Sequence, residues 1–186
     1  MQTPTQTHTV IQGDVVILSK ADVVLSTLLG SCISVCMYDS VAGIGGMNHF
    51  LLPNGEGCDN NTALRFGVNA MEKLINGILS SGGRRDRLLC KAFGGAAIIP
   101  SLGHIGQENS AFATRYLADE RITCVAHSLG GTQARRIRFW PTTGRAQQNL
   151  VEDSRAIGIQ EQMYNKKEAD FENKWKRTEA SSVELF

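Results

Sequence analysis

Between Asp14 and Leu52 the chain is a succession of short Val-, Ile- and Leu-rich runs, broken at Lys20-Ala21-Asp22, at Asp39 to Gly43 and at Pro53-Asn54-Gly55. Short apolar runs bounded by Gly, Pro, Asn and Asp read as strands joined by tight turns. That pattern predicts two short strands within Asp14 to Leu25, a third over Ile33 to Met37 and a fourth over Ile44 to Leu52. Helical periodicity takes over only afterwards: Leu64, Val68, Met71, Leu74, Ile75 and Ile78 share one face, with Asn61 or Thr62 as N-cap and Gly82-Gly83 as the stop. A second helix is expected over Ser110 to Ala118. Further strands are expected over Leu88 to Phe93, Ile122 to Ala126, Arg136 to Trp140 and Gln148 to Val151. Strands outnumber helices and mostly follow one another by hairpins, which favours a mixed α+β architecture over a doubly wound parallel sheet.

Length and charge narrow the function classes. The 186 residues suit one domain with a tail, and the formal net charge of +1 gives no electrostatic case for wrapping nucleic acid or coating an anionic membrane. No apolar run approaches the ~18 residues that span a bilayer, and Met1 to His8 lack a basic region leading into an apolar stretch. The five cysteines, Cys32, Cys36, Cys58, Cys90 and Cys124, form an odd set with no C-x-x-C pair. Without an export signal they read as reduced thiols in a cytoplasmic protein. Residues 1–10 are expected to be flexible, 11–155 to form the domain and 156–186 to form a polar tail. The tail reads either as a solvated segment or as an amphipathic one, with Tyr164, Phe171 and Trp175 on one helical face, that docks on a partner or on its own domain.

The stretch from Ser26 to Leu52 carries the chemistry. With a four-residue turn over Asp39 to Ala42, Cys32 faces His49, Ser34 faces Met47, Cys36 faces Gly45 and Tyr38 faces Gly43. Directly opposed side chains have Cβ atoms about 4.5–5.5 Å apart, close enough for a thiol and an imidazole to form an ion pair. A free thiol with a pKa of about 8.5 is mostly protonated at neutral pH, so a nearby imidazole is what makes it a nucleophile. Gly30 and Ser31 can present backbone N–H groups to a developing oxyanion. Gly43, Gly45 and Gly46 keep the facing strand thin and leave room for substrate. Ser26, or Thr27 beside it, can orient the imidazole. The competing reading makes Cys32 a core thiol and His49 a hydrogen-bonded strand residue.

Leu29-Gly30-Ser31-Cys32 followed by Gly45-Gly46-Met47-Asn48-His49-Phe50-Leu51-Leu52-Pro53 resembles the signature of the CheD chemoreceptor glutamine deamidases. The resemblance continues through Lys91-Ala92-Phe93-Gly94-Gly95-Ala96, Ile105-Gly106-Gln107-Glu108-Asn109, Leu129-Gly130-Gly131, Arg136-Ile137-Arg138-Phe139 and Thr143-Gly144. It implies a papain-like Cys–His hydrolase on an α+β fold: β-sandwich-like mixed sheets with two flanking helices, like those of deamidating toxins. The family's nucleophile falls on Cys32, its general base on His49, and its third member, a Thr, on Ser26. The implied substrate is the helical cytoplasmic domain of a chemoreceptor, whose glutamines become glutamates; hydrolysis of a glutamate methyl ester is the same chemistry. The implied partner is a CheC-type phosphatase, and no cofactor, metal or nucleic acid is called for. Two positions depart from the family pattern: Ser128 stands where an Asp is usual, and Ala134-Arg135 where a Gly-Arg pair is usual.

Three rival readings are weaker. Ala126-His127-Ser128-Leu129-Gly130 mimics a nucleophile elbow, but His8, His49, His104 and His127 all precede Ser128, the reverse of the α/β-hydrolase order. Cys32, Cys36 and His49 make a poor structural zinc site, lacking a fourth ligand nearby. A non-catalytic chemotaxis module that binds a CheC-type phosphatase would not need both Cys32 and His49. The Arg84–Arg87 and Arg135–Arg138 clusters read as solvated edges.

Overall fold

The strand Ile33–Asp39 is buried along all seven residues, and the architecture follows from what covers its two faces. The computed structural model describes residues 6–52, 60–98, 103–152, 154, 156–159, 161 and 163. In chain order the strands are β1 (Gln6–Thr9), β2 (Val15–Leu18), β3 (Val23–Leu29), β4 (Ile33–Asp39), β5 (Ile44–Asn48), β6 (Leu89–Gly94), β7 (Thr123–Leu129), β8 (Arg135–Trp140) and β9 (Arg145–Leu150). Two helices, α1 (Asn60–Ser80) and α2 (Gly103–Asp119), flank β6 in the chain. One sheet has the order β1-β3-β8-β9 and the other β2-β5-β4-β6-β7.

Side-chain alternation along β4 splits the core in two. Ile33, Val35 and Met37 meet Met71, Leu74, Ile75 and Ile78 of α1 and Phe112, Ala113 and Leu117 of α2. Cys36 and Tyr38, with Met47 and Phe93, meet Leu25, Leu29, Ile137 and Phe139 of the other sheet. The result is three layers, sheet on sheet with both helices on one outer face, which is the α+β architecture read from the sequence. Each buried Leu, Ile or Phe contributes roughly 1.5–3 kcal/mol, so both interfaces are held by apolar area. Gly82, at φ +102, ends α1: its left-handed backbone lets the Gly83 N–H reach back to the Ile78 carbonyl at 3.0 Å. Among the described residues no helix is long and apolar enough to cross a membrane.

Several expectations change. The stretch expected to be flexible supplies β1, which pairs in parallel with β3 over Gln6 to Thr9, and Val10 behind it is buried. The first helix keeps its expected bounds to within about two residues, whereas α2 begins at Gly103, well before the expected Ser110. Leu64 and Val68, assigned to the buried face of α1, are exposed, while Phe66 and Ala70 pack against the core beside Met71, Leu74, Ile75 and Ile78. Hairpins join β4 to β5 and β8 to β9, but β6 and β7 are parallel strands connected through α2. Arg135 is buried rather than a solvated edge, and its guanidinium donates to the carbonyls of Ser128 and Gly130 and, at 2.9 Å, to Ser128 Oγ. The side chain at 128, where this chain departs from the family pattern, is therefore an acceptor for Arg135.

The β4–β5 register also differs. Asp39 pairs with Ile44, Tyr38 with Gly45 and Cys36 with Met47, two residues out from the expected pairing. The turn is four residues long, as assumed, but runs from Ser40 to Gly43. Asp39 fixes it there: its Oδ1 accepts from the N–H groups of Val41 and Ala42 at 3.0 and 3.1 Å. Its Oδ2 accepts from the Arg84 N–H and from Arg87 Nη2 at 3.0 and 2.7 Å. A shift of two leaves every side chain on the same face, so Cys32 and His49 stay on one side of the sheet as diagonal neighbours. The space beside Gly45 and Gly46 is not left for substrate: a Cβ on Gly45 would strike the Pro141 carbonyl, and one on Gly46 the Leu74 side chain, while Gly43 borders open space in the turn.

Candidate active site

Cys32 lies at the mouth of β4, at the end of a tight bend through Gly30 and Ser31. All three carbonyls of this bend are engaged on its far side. Gly30 O accepts from the Ala96 N–H and Cys32 O from the Gly95 N–H, each at 2.8 Å. Ser31 O accepts from Asn109 Nδ2 at 3.2 Å, while Asn109 Oδ1 accepts from the Leu52 N–H at 2.8 Å. Gly94 sits so close beneath that a Cβ there would lie 1.9 Å from Cys32 O. With the carbonyls held back, the N–H groups of Gly30 and Ser31 both point forward, and they converge on one acceptor. That acceptor is the Glu161 carboxylate, which takes both N–H bonds and the Ser31 hydroxyl bond at 2.8 Å each.

His49 follows β5 directly. Its carbonyl accepts from the Gly13 N–H at 2.8 Å and its N–H donates to the Asp14 carbonyl at 3.0 Å. The ring crosses to the other sheet, where Nδ1 lies 2.9 Å from Thr27 Oγ1. The single hydroxyl proton of Thr27 is already donated to the Val10 carbonyl at 2.7 Å. Toward His49 the Thr27 oxygen can therefore only accept, which places the ring proton on Nδ1 and leaves the lone pair on Nε2. Nε2 is buried with no hydrogen-bond partner among the described residues. Burial lowers the His49 pKa below its ordinary 6.5, opposed by the bond to Val10 and by the charges of Glu161 and Asp14. The ring is thus a neutral base with its basic nitrogen set by its neighbours.

Cys32 Sγ, a ring nitrogen of His49 and a carboxylate oxygen of Glu161 lie within 4.8 Å of one another. The thiol also lies 3.5 Å from Gln12 Oε1. A metal ion could take ligands from this trio, but both Glu161 oxygens are already used as acceptors by the bend. Of the residues singled out in the sequence, Cys32, His49, Thr27, Gly30 and Ser31 come together. Ser26 does not: its hydroxyl donates to the Ile137 carbonyl at 3.0 Å, on the opposite face of β3. Cys36 is buried in the sandwich, where desolvation pushes its thiol far up. Cys90 is buried beside its strand partner Cys124, which is exposed. The Cys90 side chain hydrogen-bonds Cys124 and holds it below the ordinary thiol range. Cys58 lies outside the described residues.

The CheD chemotactic sensory transduction model matches residues 51–149, a span that includes the Gly94, Gly95 and Asn109 that hold the bend and begins after His49. A protein of Cereibacter sphaeroides named "Probable chemoreceptor glutamine deamidase CheD" is 58% identical over 145 residues, 78% of this chain and 72% of the relative. The chain belongs to the CheD family. Proteins with the same name from Agrobacterium fabrum and a Caulobacter species are 50% identical over 140 residues and 51% over 143. They cover 75% and 76% of this CheD-family chain, and 77% and 76% of their own lengths are covered in turn. Gln12 and Asn109 are contributors that no motif spacing assigned to the site, and Glu161 is an occupant of its donors that none foresaw. Asn109 lay within the Ile105 to Asn109 segment of the resemblance, which was its only signal in the sequence.

Proposed function

We propose that this chain deamidates glutamine side chains of chemoreceptors through a thioester on Cys32. The names of its relatives support the substrate, and one observation supports the chemistry: the Thr27–His49 bond, which leaves Nε2 as the buried basic nitrogen of a ring that has a nitrogen within 4.8 Å of the Cys32 thiol. In this reading the thiol proton passes to Nε2 and the thiolate attacks the carboxamide carbon. The oxyanion is held by the N–H groups of Gly30 and Ser31. The imidazolium returns its proton to the amide nitrogen, the C–N bond breaks and ammonia leaves. Nε2 then takes a proton from water, hydroxide attacks the thioester, and Cys32 departs as thiolate, leaving glutamate. A methyl ester would follow the same path with methanol as the leaving group. Thr27, rather than Ser26, is the positioning residue. A CheC-type phosphatase partner belongs to the same reading, on the family resemblance alone.

The test uses a receptor cytoplasmic fragment, with ammonia release and the Gln-to-Glu mass increase as readouts. Cys32→Ala is expected to abolish both while the melting temperature stays near that of the parent, and Cys36→Ala to retain activity. Turnover by Cys32→Ala at the parent rate would overturn the mechanism. Binding of the fragment by the parent protein with no mass change would favour a non-catalytic module.

A further inference from the structure

Three hydrogen-bond donors beside the Cys32 thiol converge on one carboxylate, and the chain supplies it. The Glu161 carboxylate accepts from the N–H groups of Gly30 and Ser31 and from the Ser31 hydroxyl. It also lies within 4.8 Å of both Cys32 Sγ and a His49 ring nitrogen. The fit is close: a Cβ on Gly30 would lie 2.6 Å from Glu161 Oε2. Residues 156–159 leading to it are helical, and Gly158 is buried. With this segment in place Cys32 is 0% exposed. Glu161 lies beyond the 51–149 span of the family match and outside every segment that carries the family resemblance.

A carboxylate at the end of a glutamyl side chain, presented from a helix, is what glutamine deamidation leaves behind. We infer that Glu161, with the helical residues 156–159 before it, is a tethered product-like ligand, Glu161 occupying the cradle that receives the glutamyl side chain of the substrate. The inference rests on the deamidase reading of that site. It assigns the cradle a ligand class, a glutamyl carboxylate or carboxamide carried on helical backbone, and it makes the segment an intramolecular competitor that substrate must displace. A bivalent contact of this kind acts at the effective concentration set by its short tether, so it raises the apparent KM without altering the chemical step.

The experiment uses the full chain with Cys58→Ser and Cys124→Ser; Cys124 is the exposed thiol among the described residues, and the two changes leave Cys32 with the buried Cys36 and Cys90. Glu161→Ala is expected to speed alkylation of Cys32 by iodoacetamide by about tenfold or more, as the open state becomes the major one. The same variant should lower KM for a receptor cytoplasmic fragment at unchanged kcat. Glu161→Gln adds a direct readout: the carboxamide now lies in the cradle, and the tail peptide is expected to carry glutamate at 161. It should carry glutamine at 161 when Cys32→Ala accompanies the change. Equal alkylation rates with equal KM, in protein that deamidates the receptor fragment, would overturn the inference and leave the deamidase reading standing. Glutamine retained at 161 by such active protein would also overturn it. Faster alkylation with no deamidation of any receptor fragment would support the occupancy of the cradle and remove the deamidase reading beneath it.

Discussion

Thr27→Val is a nearly isosteric change that removes one oxygen from the interface between the two sheets. That oxygen donates to the Val10 carbonyl at 2.7 Å and accepts from His49 Nδ1 at 2.9 Å. Losing it leaves a buried Nδ1–H whose next acceptor is the Val10 carbonyl at 3.4 Å, too long to replace the lost bond fully. A buried donor left without a good partner costs about 1–3 kcal/mol. If that cost falls on the reactive orientation of the ring, kcat/KM drops by about 5- to 150-fold. The pH profile should move as well, because an imidazolium that has lost an acceptor is harder to form: the acid limb shifts to lower pH while the plateau falls. Thr27→Ser keeps the hydroxyl and is expected to recover most of the rate. Ser26→Ala, which removes only the bond to Ile137, should stay within about twofold of the parent, its cost of ~1 kcal/mol appearing in stability instead. The assay is initial-rate ammonia release from a receptor fragment across pH, alongside thermal melts of each variant. A Ser26→Ala loss equal to that of Thr27→Val, or a Thr27→Val rate within twofold of the parent, would refute the reasoning.

His49 has a pKa lowered by burial, so kcat/KM should fall on the acid side with an apparent pKa below 6.5. The unfolded chain takes up this proton near 6.5 while the folded chain refuses it until lower pH, so urea denaturation should show stability declining below 6.5, a decline flattened in His49→Gln. For Asp39, burial pushes the carboxyl up, but the bonds from Arg87, Ala42 and Arg84 overturn that and hold it at about 2 against an ordinary 3.8. Asp39→Asn is expected to lose about 1–2 kcal/mol at neutral pH, since water screens part of the half-exposed Arg87 contribution. That difference is present above 3.8 and disappears as pH falls through about 2, which denaturant melts at stepped pH would check. Asn109→Ala frees both the Ser31 carbonyl and the Leu52 N–H; a drop in kcat of about tenfold with KM little changed is expected from steady-state kinetics.

The strand-rich front of the chain and the two helices were legible because apolar runs and turn residues are local signals. The register of β4 on β5 was less so. Its turn has the expected length, but its position is set by the Asp39 carboxylate and by Arg84 and Arg87, more than forty residues downstream in the chain, which no local pattern reveals. The choice between Ser26 and Thr27 depended on the phase of β3, and Val24 and Leu25 are both fully buried, so alternation alone did not mark the inner face. Leu25 and Leu29 packing across the sandwich place Thr27 between them on that face. Glu161 was the least legible, because a polar residue in a polar segment carries no sign of partners 130 and 131 residues away.

The proposed catalytic pair and its proposed positioning hydroxyl do not belong to one sheet. Cys32 and His49 border the five-stranded sheet, and Thr27 is a residue of the four-stranded one. Turnover therefore reports on the gap between the layers. A slippage of the sandwich too small to register in circular dichroism, with every strand still paired, would already part the ring from its hydroxyl. Under mild heat or denaturant, loss of activity should precede loss of secondary structure, making the enzyme a sensor of its own interlayer packing.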